Sequence, residues 1–197
     1  DWLLKSLLKK VFGGQPDSVL RPVREVIREN EDIFPYPNII ERLRGTNKSL
    51  IFNEDEIENL LFYRYGQNYT FSVLSLLYPN LDYRNKFHQD HIFPRSFFTS
   101  RKKLVKKGIP EDKHDSYLEI YNYVGNLQLL EGIPNEEKSS KDFKEWLEIT
   151  YPEEESRKDY MKKHLIPDID LKFNNFEECI NKRNELISNK LKELLLT

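Results

Sequence analysis

The sequence predicts an α+β fold that is mainly α-helical and carries one short β-hairpin. Apolar residues recur at helical spacing near both ends of the chain, whereas Arg84–Phe93 has the pattern of a strand. The 197 residues, 38% of them hydrophobic, are enough for a sizeable core. We expect three parts: a helical scaffold over residues 1–82, a core over 83–150 and packing helices over 151–197.

Local signals locate the helices of the first part. Leucines and a valine form an apolar stripe that Gly13 and Gly14 end, and a second helix begins near Asp17 and tolerates Pro22 in its early turns. Asn53 and Glu56 predict a capping box. The stripe consists of Leu3, Leu4, Leu7, Leu8 and Val11, and the second helix turns inward Val19, Val23, Val26 and Ile27.

The chain beyond residue 138 is helical by the same reasoning. Ser139 or Ser140 is expected to cap a helix that carries Phe143, Trp146 and Leu147 inward and packs on the two strands of the hairpin, and Phe176–Leu196 is expected to be a long terminal helix. The aromatic residues between 63 and 98 are interpreted mainly as buried packing, with base stacking as the alternative. His114 and His164 lie in charged surroundings and are expected on the surface.

Composition excludes several classes of protein. A net charge of −2 and a pI near 6.2 argue against a wholly basic nucleic-acid coat, so any polyanion must meet a local patch. The one cysteine, Cys179, excludes a disulfide framework and suits a reducing cytoplasm, where we expect this protein. No apolar run approaches the roughly twenty residues that a membrane span requires.

The residues that indicate chemistry lie in the middle of the chain. Asp90–Ser96 reads Asp-His-Ile-Phe-Pro-Arg-Ser at the end of the predicted strand. Asn126 begins a second strand-like run, Asn135 follows nine positions later, and Lys138 stands three positions beyond it. Each piece alone is a weak signal, because an Asp-His pair or a Gly-Asn turn is common in ordinary structure. The three pieces together, in this order, predict a metal-dependent phosphodiesterase site.

The residue types suit that chemistry. His91 is a competent general base, because a neutral imidazole is available near pH 7. Asp90 offers an anionic oxygen and Asn135 a neutral carbonyl oxygen, a combination that fits Mg²⁺ or Mn²⁺. Since adjacent residues of a strand point to opposite faces, the strand must end or bend at this pair if both are to act on one phosphate.

The motif resembles that of HNH nucleases, whose compact ββα-metal site combines a base histidine with one divalent ion. The Asp90–Ser96 run is similar to the first motif in the HNH domains of RNA-guided CRISPR nucleases. Gly125–Leu130 resembles the HNH half of GmrSD-like and SspE-like modification-dependent restriction proteins. The chain departs from the common pattern in having Asn135 in place of a histidine and an insertion over residues 101–120.

The resemblance implies functions for particular residues. It implies that Asp90 and Asn135 hold the metal, that His91 is the base and that Asn126 orients the loop and hence the base. It implies cleavage of DNA to 5′-phosphate and 3′-hydroxyl ends, in defence against phage or other foreign DNA carrying a modification such as phosphorothioation. It also implies an upstream ParB-like nucleotide-binding half, so we expect this sequence to be the C-terminal portion of a longer protein.

Further residues near the motif have two interpretations each. His88 is a supporting ligand or a packed histidine, and Lys138 contacts the phosphate or is a charge at a helix start. Arg95 has the same standing as Lys138. Between residues 84 and 114, nine Lys and Arg residues stand against three acids, a local balance of +6 that suits DNA or merely a solvated face. The candidate DNA-binding residues are Arg101, Lys102, Lys103, Lys106 and Lys107.

Two other functions remain open at this stage. A binding module that kept the fold and lost activity would hold nucleic acid without turnover. A ribonuclease with the same site would prefer RNA, and the sequence shows no residue that reads a 2′-hydroxyl.

Overall fold

The computed structural model describes residues 2–30, 33–82 and 84–196. The α+β, mainly helical fold is confirmed: the described residues form eleven α-helices and one two-stranded antiparallel sheet. The chain divides into two compact units, Asp1–Ile57 with Lys192–Thr197, and Glu58–Leu191. The predicted boundaries at 82/83 and 150/151 stay predictions, and the predicted part ends at positions 1, 83 and 197 lie outside the described residues.

Among the described residues, three helices lie wholly within the first unit, where a small aliphatic core forms. They are α1 (Trp2–Leu8), α2 (Asp17–Arg28) and α3 (Tyr36–Leu43). Valines of α2 pack with residues of α3 and the following loop, in a cluster of Val11, Val19, Val23, Val26, Ile39, Leu43 and Leu50.

The predicted apolar stripe of α1 is wrong in part. Leu3 is 73% exposed and Leu7 41% exposed, whereas Lys5 is buried on this helix. The helix is only seven residues long, so a 3–4 spacing covers too few turns to fix which side faces a core. Ile27 of α2 is likewise exposed and not turned inward.

Helix α4 (Glu54–Leu60) begins with the predicted capping box. The backbone N–H of Glu56 donates to Oδ1 of Asn53 at 2.8 Å, and the backbone N–H of Asn53 donates to Oε2 of Glu56 at 3.0 Å. Two otherwise unpaired donors of the first turn are thereby satisfied.

The second unit is built around the hairpin. After α5 (Thr70–Leu76), strand β1 (Phe87–His91) pairs antiparallel with β2 (Leu127–Glu131), and Asp90 lies opposite Gln128. The connection contains α6 (Arg101–Lys106) and α7 (His114–Ile120). Four helices follow β2: α8 (Gly132–Lys138), α9 (Phe143–Thr150), α10 (Glu154–Lys163) and α11 (Phe176–Leu195). The long terminal helix is therefore confirmed.

Two expectations about the helices after the hairpin are wrong. The cap of α9 is Asp142, whose carboxylate accepts from the backbone N–H of Lys144 and of Glu145. Ser139 instead has φ of +43° at the end of α8, outside the extended region that an N-cap requires. The helix that packs against both strands is α8, and not the helix carrying Phe143 as expected.

The core of the second unit is aromatic. Phe93, Phe98, Tyr117 and Phe176 are buried in it, which confirms the packing interpretation for the first two.

Among the described residues, no helix is both long enough and apolar enough to cross a membrane.

His114 and His164 are buried, so their predicted surface position is wrong. Each ring finds a polar partner inside the protein: Nε2 of His114 lies 2.9 Å from the carbonyl of Ile109, and Nδ1 of His164 lies 2.9 Å from the hydroxyl of Tyr78. A hydrogen bond of this kind offsets the cost of taking a polar ring out of water.

Candidate functional site

A cleft of about 580 Å³ lies where the end of β1 meets α8. Five of the residues singled out from the sequence line it together: His88, Asp90, His91, Arg95 and Asn135. Strand β1 ends at His91, as the pairing of two adjacent site residues requires. The structure thus brings the Asp-His pair and the second asparagine, forty-four positions after His91, to one concave surface.

The imidazole of His91 has three side-chain neighbours that hold it. Its Nε2–H donates to Oδ1 of Asn122 at 2.8 Å, and its ring packs near those of Tyr65 and Tyr121, with centroids 4.7 and 6.2 Å away. The other ring nitrogen, Nδ1, has no hydrogen-bond partner in the part of the chain that the structure describes. Because Nε2 carries the proton, the lone pair of the neutral ring lies on Nδ1.

The surroundings keep this imidazole neutral. Burial lowers the pKa of His91 below its usual 6.5, and Lys138 and Arg95 lower it further. The hydrogen bond to Asn122 and the charge of Asp90 act in the opposite direction and do not offset the burial. His91 is therefore neutral at pH 7, in the state that can accept a proton.

Asp90 enters a different environment, a buried polar network. Its Oδ2 accepts from Nε2 of Gln128 at 2.9 Å and lies 3.0 Å from Nζ of Lys138, while its Oδ1 lies 3.4 Å from the same Nζ. The hydroxyl of Tyr160 donates to Oε1 of Gln128 at 2.8 Å. The carboxylate is thus fixed by groups on β2, α8 and α10.

Lys138 lies in the last turn of α8 and is fully buried, so it is not a charge at a helix start. Its ammonium also donates to the backbone carbonyl of His91 at 2.5 Å. Burial lowers the pKa of Lys138, against the opposing effect of Asp90. This placement supports a structural role for Lys138 more than the predicted contact with phosphate.

Asn126 ties together the two loops that flank the site. Its Oδ1 accepts from the backbone N–H of Phe93 at 2.9 Å, and its Nδ2 donates to the carbonyls of Phe93 and Tyr121 at 3.1 and 2.8 Å. The side chain is fully buried and has both ends satisfied. It therefore anchors the segment just before Asn122; its predicted effect on the base stays a prediction.

Helix α11 packs against the turn that carries Asn126, residues Val124–Asn126. Nη1 of Arg183, a fully buried guanidinium, donates to the carbonyls of Gly125 and Val124 at 2.7 and 3.1 Å. A Cβ at Gly125 would lie 2.3 Å from Oδ1 of Asn184 and 2.8 Å from Cγ2 of Ile180. Only glycine therefore lets the turn that carries Asn126 approach the helix this closely.

One wall of the cleft was missed by the sequence analysis. The backbone N–H of Tyr65 donates to the carbonyl of Asn122 at 2.9 Å, and Arg64 forms an isolated antiparallel bridge with Tyr123. This pairing puts the ring of Tyr65 against His91. Tyr65 lies within residues 1–82, the expected scaffold, and no local sequence pattern signals a contact between segments so far apart in the chain.

The residues at the cleft fit a hard divalent cation. Oδ1 of Asp90 is the less closely bonded of its two carboxylate oxygens, and the side chain of Asn135 makes no hydrogen bond among the described residues. The described residues contain no group of three His, Cys, Asp or Glu side chains placed to hold a metal. An ion here would thus use one carboxylate, one amide oxygen and water or phosphate, which is the type of set that Mg²⁺ accepts.

The basic insertion begins beside the cleft. All five of its candidate DNA-binding residues are exposed, on or next to α6. Nζ of Lys103 donates at 2.9 Å to the carbonyl of Ser96, a residue that lines the cleft. Arg101 pairs with Asp115 at 2.5 Å, and Lys107 lies over the ring of Phe97 at 3.8 Å. Lys103 thus joins the basic insertion to one wall of the candidate site.

Comparison with protein-family models and with curated proteins finds no match for this chain.

Proposed function

We propose that this chain is a Mg²⁺- or Mn²⁺-dependent endonuclease of the HNH type that nicks or cuts DNA. One observation carries the proposal: His91, Asp90 and Asn135, predicted from the sequence as base and metal ligands, line the same cleft. A neutral imidazole with a free ring nitrogen lies beside oxygen ligands for a cation, and this combination is suited to hydrolysis of a phosphodiester.

In the proposed reaction, Nδ1 of His91 accepts a proton from a water molecule. That water attacks the phosphorus, the bond from phosphorus to the 3′ oxygen breaks, and the leaving 3′ oxygen takes a proton from a second, solvent water. The proton on Nε2 stays hydrogen-bonded to Asn122 throughout, so the imidazolium that forms keeps its orientation. The products, with 5′-phosphate and 3′-hydroxyl ends, are those that the HNH resemblance implies.

Asp90 and Asn135 would hold the metal ion in this proposal. When bound, the ion would stabilise the negative charge that develops on the phosphoryl and leaving oxygens. The contacts of Gln128 and Lys138 with the carboxylate of Asp90 hold that carboxylate in one orientation. Preorganisation of this kind limits the reorganisation needed during the reaction.

DNA would reach the cleft along the basic insertion. Arg95 lines the cleft itself, and the exposed cations of α6 extend from it. Contacts of Lys and Arg with phosphates release counterions and give affinity without reading sequence. As part of the proposal, the chain serves as the effector of a modification-dependent defence system in the cytoplasm, controlled by an upstream nucleotide-binding half.

One observation favours a second candidate, a nucleic-acid-binding module without catalysis. The carboxylate of Asp90 is bonded to Lys138 and Gln128, an arrangement that is complete without a metal. A module of this kind would bind DNA equally well in chelator and would show no turnover.

Cleavage of supercoiled plasmid tests the proposal. The full chain is incubated with Mg²⁺, with Mn²⁺ or with EDTA, and His91→Ala is compared with the wild type. His114→Gln is the matched control, because His114 is a buried histidine whose ring bonds to a backbone carbonyl away from the cleft. Cleavage that needs metal and falls about 10²- to 10⁴-fold in His91→Ala supports the proposal. Unchanged cleavage in this variant, or none by the wild type, would refute it.

A further inference from the structure

Asn122 is the side chain that bonds the ring of His91, and it lies outside the sequence motif. The Nε2–H of His91 donates to its Oδ1 at 2.8 Å. Asp90, Lys138 and Arg95 act on the imidazole through their charges, and Tyr65 and Tyr121 contact its faces. Among the residues that the structure describes, Asn122 is therefore the one hydrogen-bond partner of the ring.

We infer that Asn122 is a positioning residue for His91: its amide oxygen fixes the proton on Nε2 and thereby selects Nδ1 as the basic nitrogen. An imidazole without this partner would distribute its proton between both nitrogens and would rotate more freely about its side-chain bonds. The inference rests on the proposed function as far as its catalytic consequence is concerned. The hydrogen bond and the tautomer can be measured without any catalysis.

Asn122 is itself held rigidly enough to serve this purpose. Its carbonyl accepts from the backbone N–H of Tyr65, and the preceding carbonyl, that of Tyr121, accepts from Nδ2 of Asn126. The peptide groups on either side of its Cα are thus bonded to two different parts of the unit. An acceptor that is fixed by its own contacts can orient a base to within the tolerance that catalysis requires.

The acceptor also matches the change in charge of the ring. When Nδ1 takes up a proton, the ring becomes a cation and its Nε2–H becomes a stronger donor toward the amide oxygen. This interaction is stronger in the charged state than in the neutral one, so it favours the proton transfer itself. A variant without the acceptor should therefore lose turnover more than substrate binding.

The first test measures the tautomer directly. Two-dimensional ¹H–¹⁵N NMR of the imidazoles is recorded for the wild type, Asn122→Asp and Asn122→Leu at a pH where His91 is neutral. We expect the Nε2–H form in the wild type and in Asn122→Asp, which keeps an oxygen at this position, and a mixture in Asn122→Leu. A wild-type ring protonated on Nδ1 would overturn the inference, and this readout needs neither cleavage nor a variant that folds.

The second test measures plasmid cleavage with the same proteins. We expect kcat to fall about 10- to 100-fold in Asn122→Leu with little change in KM, and to recover most of its value in Asn122→Asp. Asn181→Leu, an exposed asparagine on α11, is the control for the same substitution elsewhere. Equal kcat in Asn122→Leu and the wild type would overturn the inference. An inactive wild type with the Nε2–H tautomer would refute the proposed function and leave the positioning contact standing.

Discussion

Asp90 and His91 are neighbours in sequence, yet their side chains enter opposite kinds of surroundings. Asp90 joins a buried network in which Lys138, Gln128 and Tyr160 satisfy one another. His91 has one ring nitrogen bonded to Asn122 and the other without a partner in the described structure. Asp90 lies inside β1 opposite Gln128, whereas His91 is the last residue of the strand, so the two side chains meet different neighbours although both line the cleft.

This difference in surroundings predicts whether stability or cleavage depends more on each of the two residues' partners. A saturated network of buried polar groups contributes to stability through the cost of leaving any member unpaired. We expect an imidazole that is held in place and keeps one nitrogen unbonded to contribute to the proposed reaction and little to stability. Substitutions of the groups that hold Asp90 should therefore change unfolding first, and substitutions of His91 or of its partner should change cleavage first.

The largest effect on stability is expected for Lys138→Met. The substitution leaves the carboxylate of Asp90 buried without its cation, which should cost about 3–5 kcal/mol of the free energy of unfolding. Urea denaturation measures it, with the exposed Lys141→Met as control. Equal stability of the two variants would mean that the ion pair of Lys138 and Asp90 does not stabilise the fold, which would contradict the stabilising role expected for this network.

A smaller loss is expected for Tyr160→Phe. Oε1 of Gln128 loses its donor inside the protein, so the unfolding free energy should fall by about 1–3 kcal/mol. Tyr151→Phe is the matched control, because the described residues offer the hydroxyl of Tyr151 no hydrogen-bond partner. The same urea titration compares the two, and a larger loss in Tyr151→Phe would contradict the network.

The pH dependence of cleavage tests the surroundings of His91. The base must be neutral, and burial places the pKa of His91 below 6.5. The rate should therefore reach half of its plateau at a pH below 6.5 and decline by about tenfold per unit well below that midpoint. A profile of kcat/KM against pH measures this. A midpoint above pH 6.5 would contradict the assignment of the base or of its surroundings.

The smallest effect is expected at the exposed cations. Lys102→Gln should weaken DNA binding for all sequences alike and reduce the slope of log K against log salt by about 0.9. Lys162→Gln, on α10, removes the same charge elsewhere and should leave the slope unchanged. Fluorescence anisotropy with a labelled duplex at several salt concentrations measures both. Equal slopes would place the DNA path away from α6.

Local sequence signals predicted what depends on local structure. The capping box at Asn53 and the terminal helix could be read directly, because neighbouring residues decide both. The gathering of His91 and Asn135 at one cleft was expected from the motif and its resemblance to HNH nucleases. The place of Asn122 and Tyr65 beside His91 could not be predicted, because it depends on a bridge between segments almost sixty residues apart. Burial of Lys138 was missed for the same reason, since its partners lie on β1.

A crystal structure of the protein soaked with Mn²⁺ tests the central claim most directly. We predict one ion within about 2.0 to 2.3 Å of an oxygen of Asp90 and of the side-chain oxygen of Asn135, with the imidazole of His91 facing the same cleft. An ion bound elsewhere, or none at millimolar metal with Asp90 still bonded only to Lys138 and Gln128, would contradict the proposed nuclease.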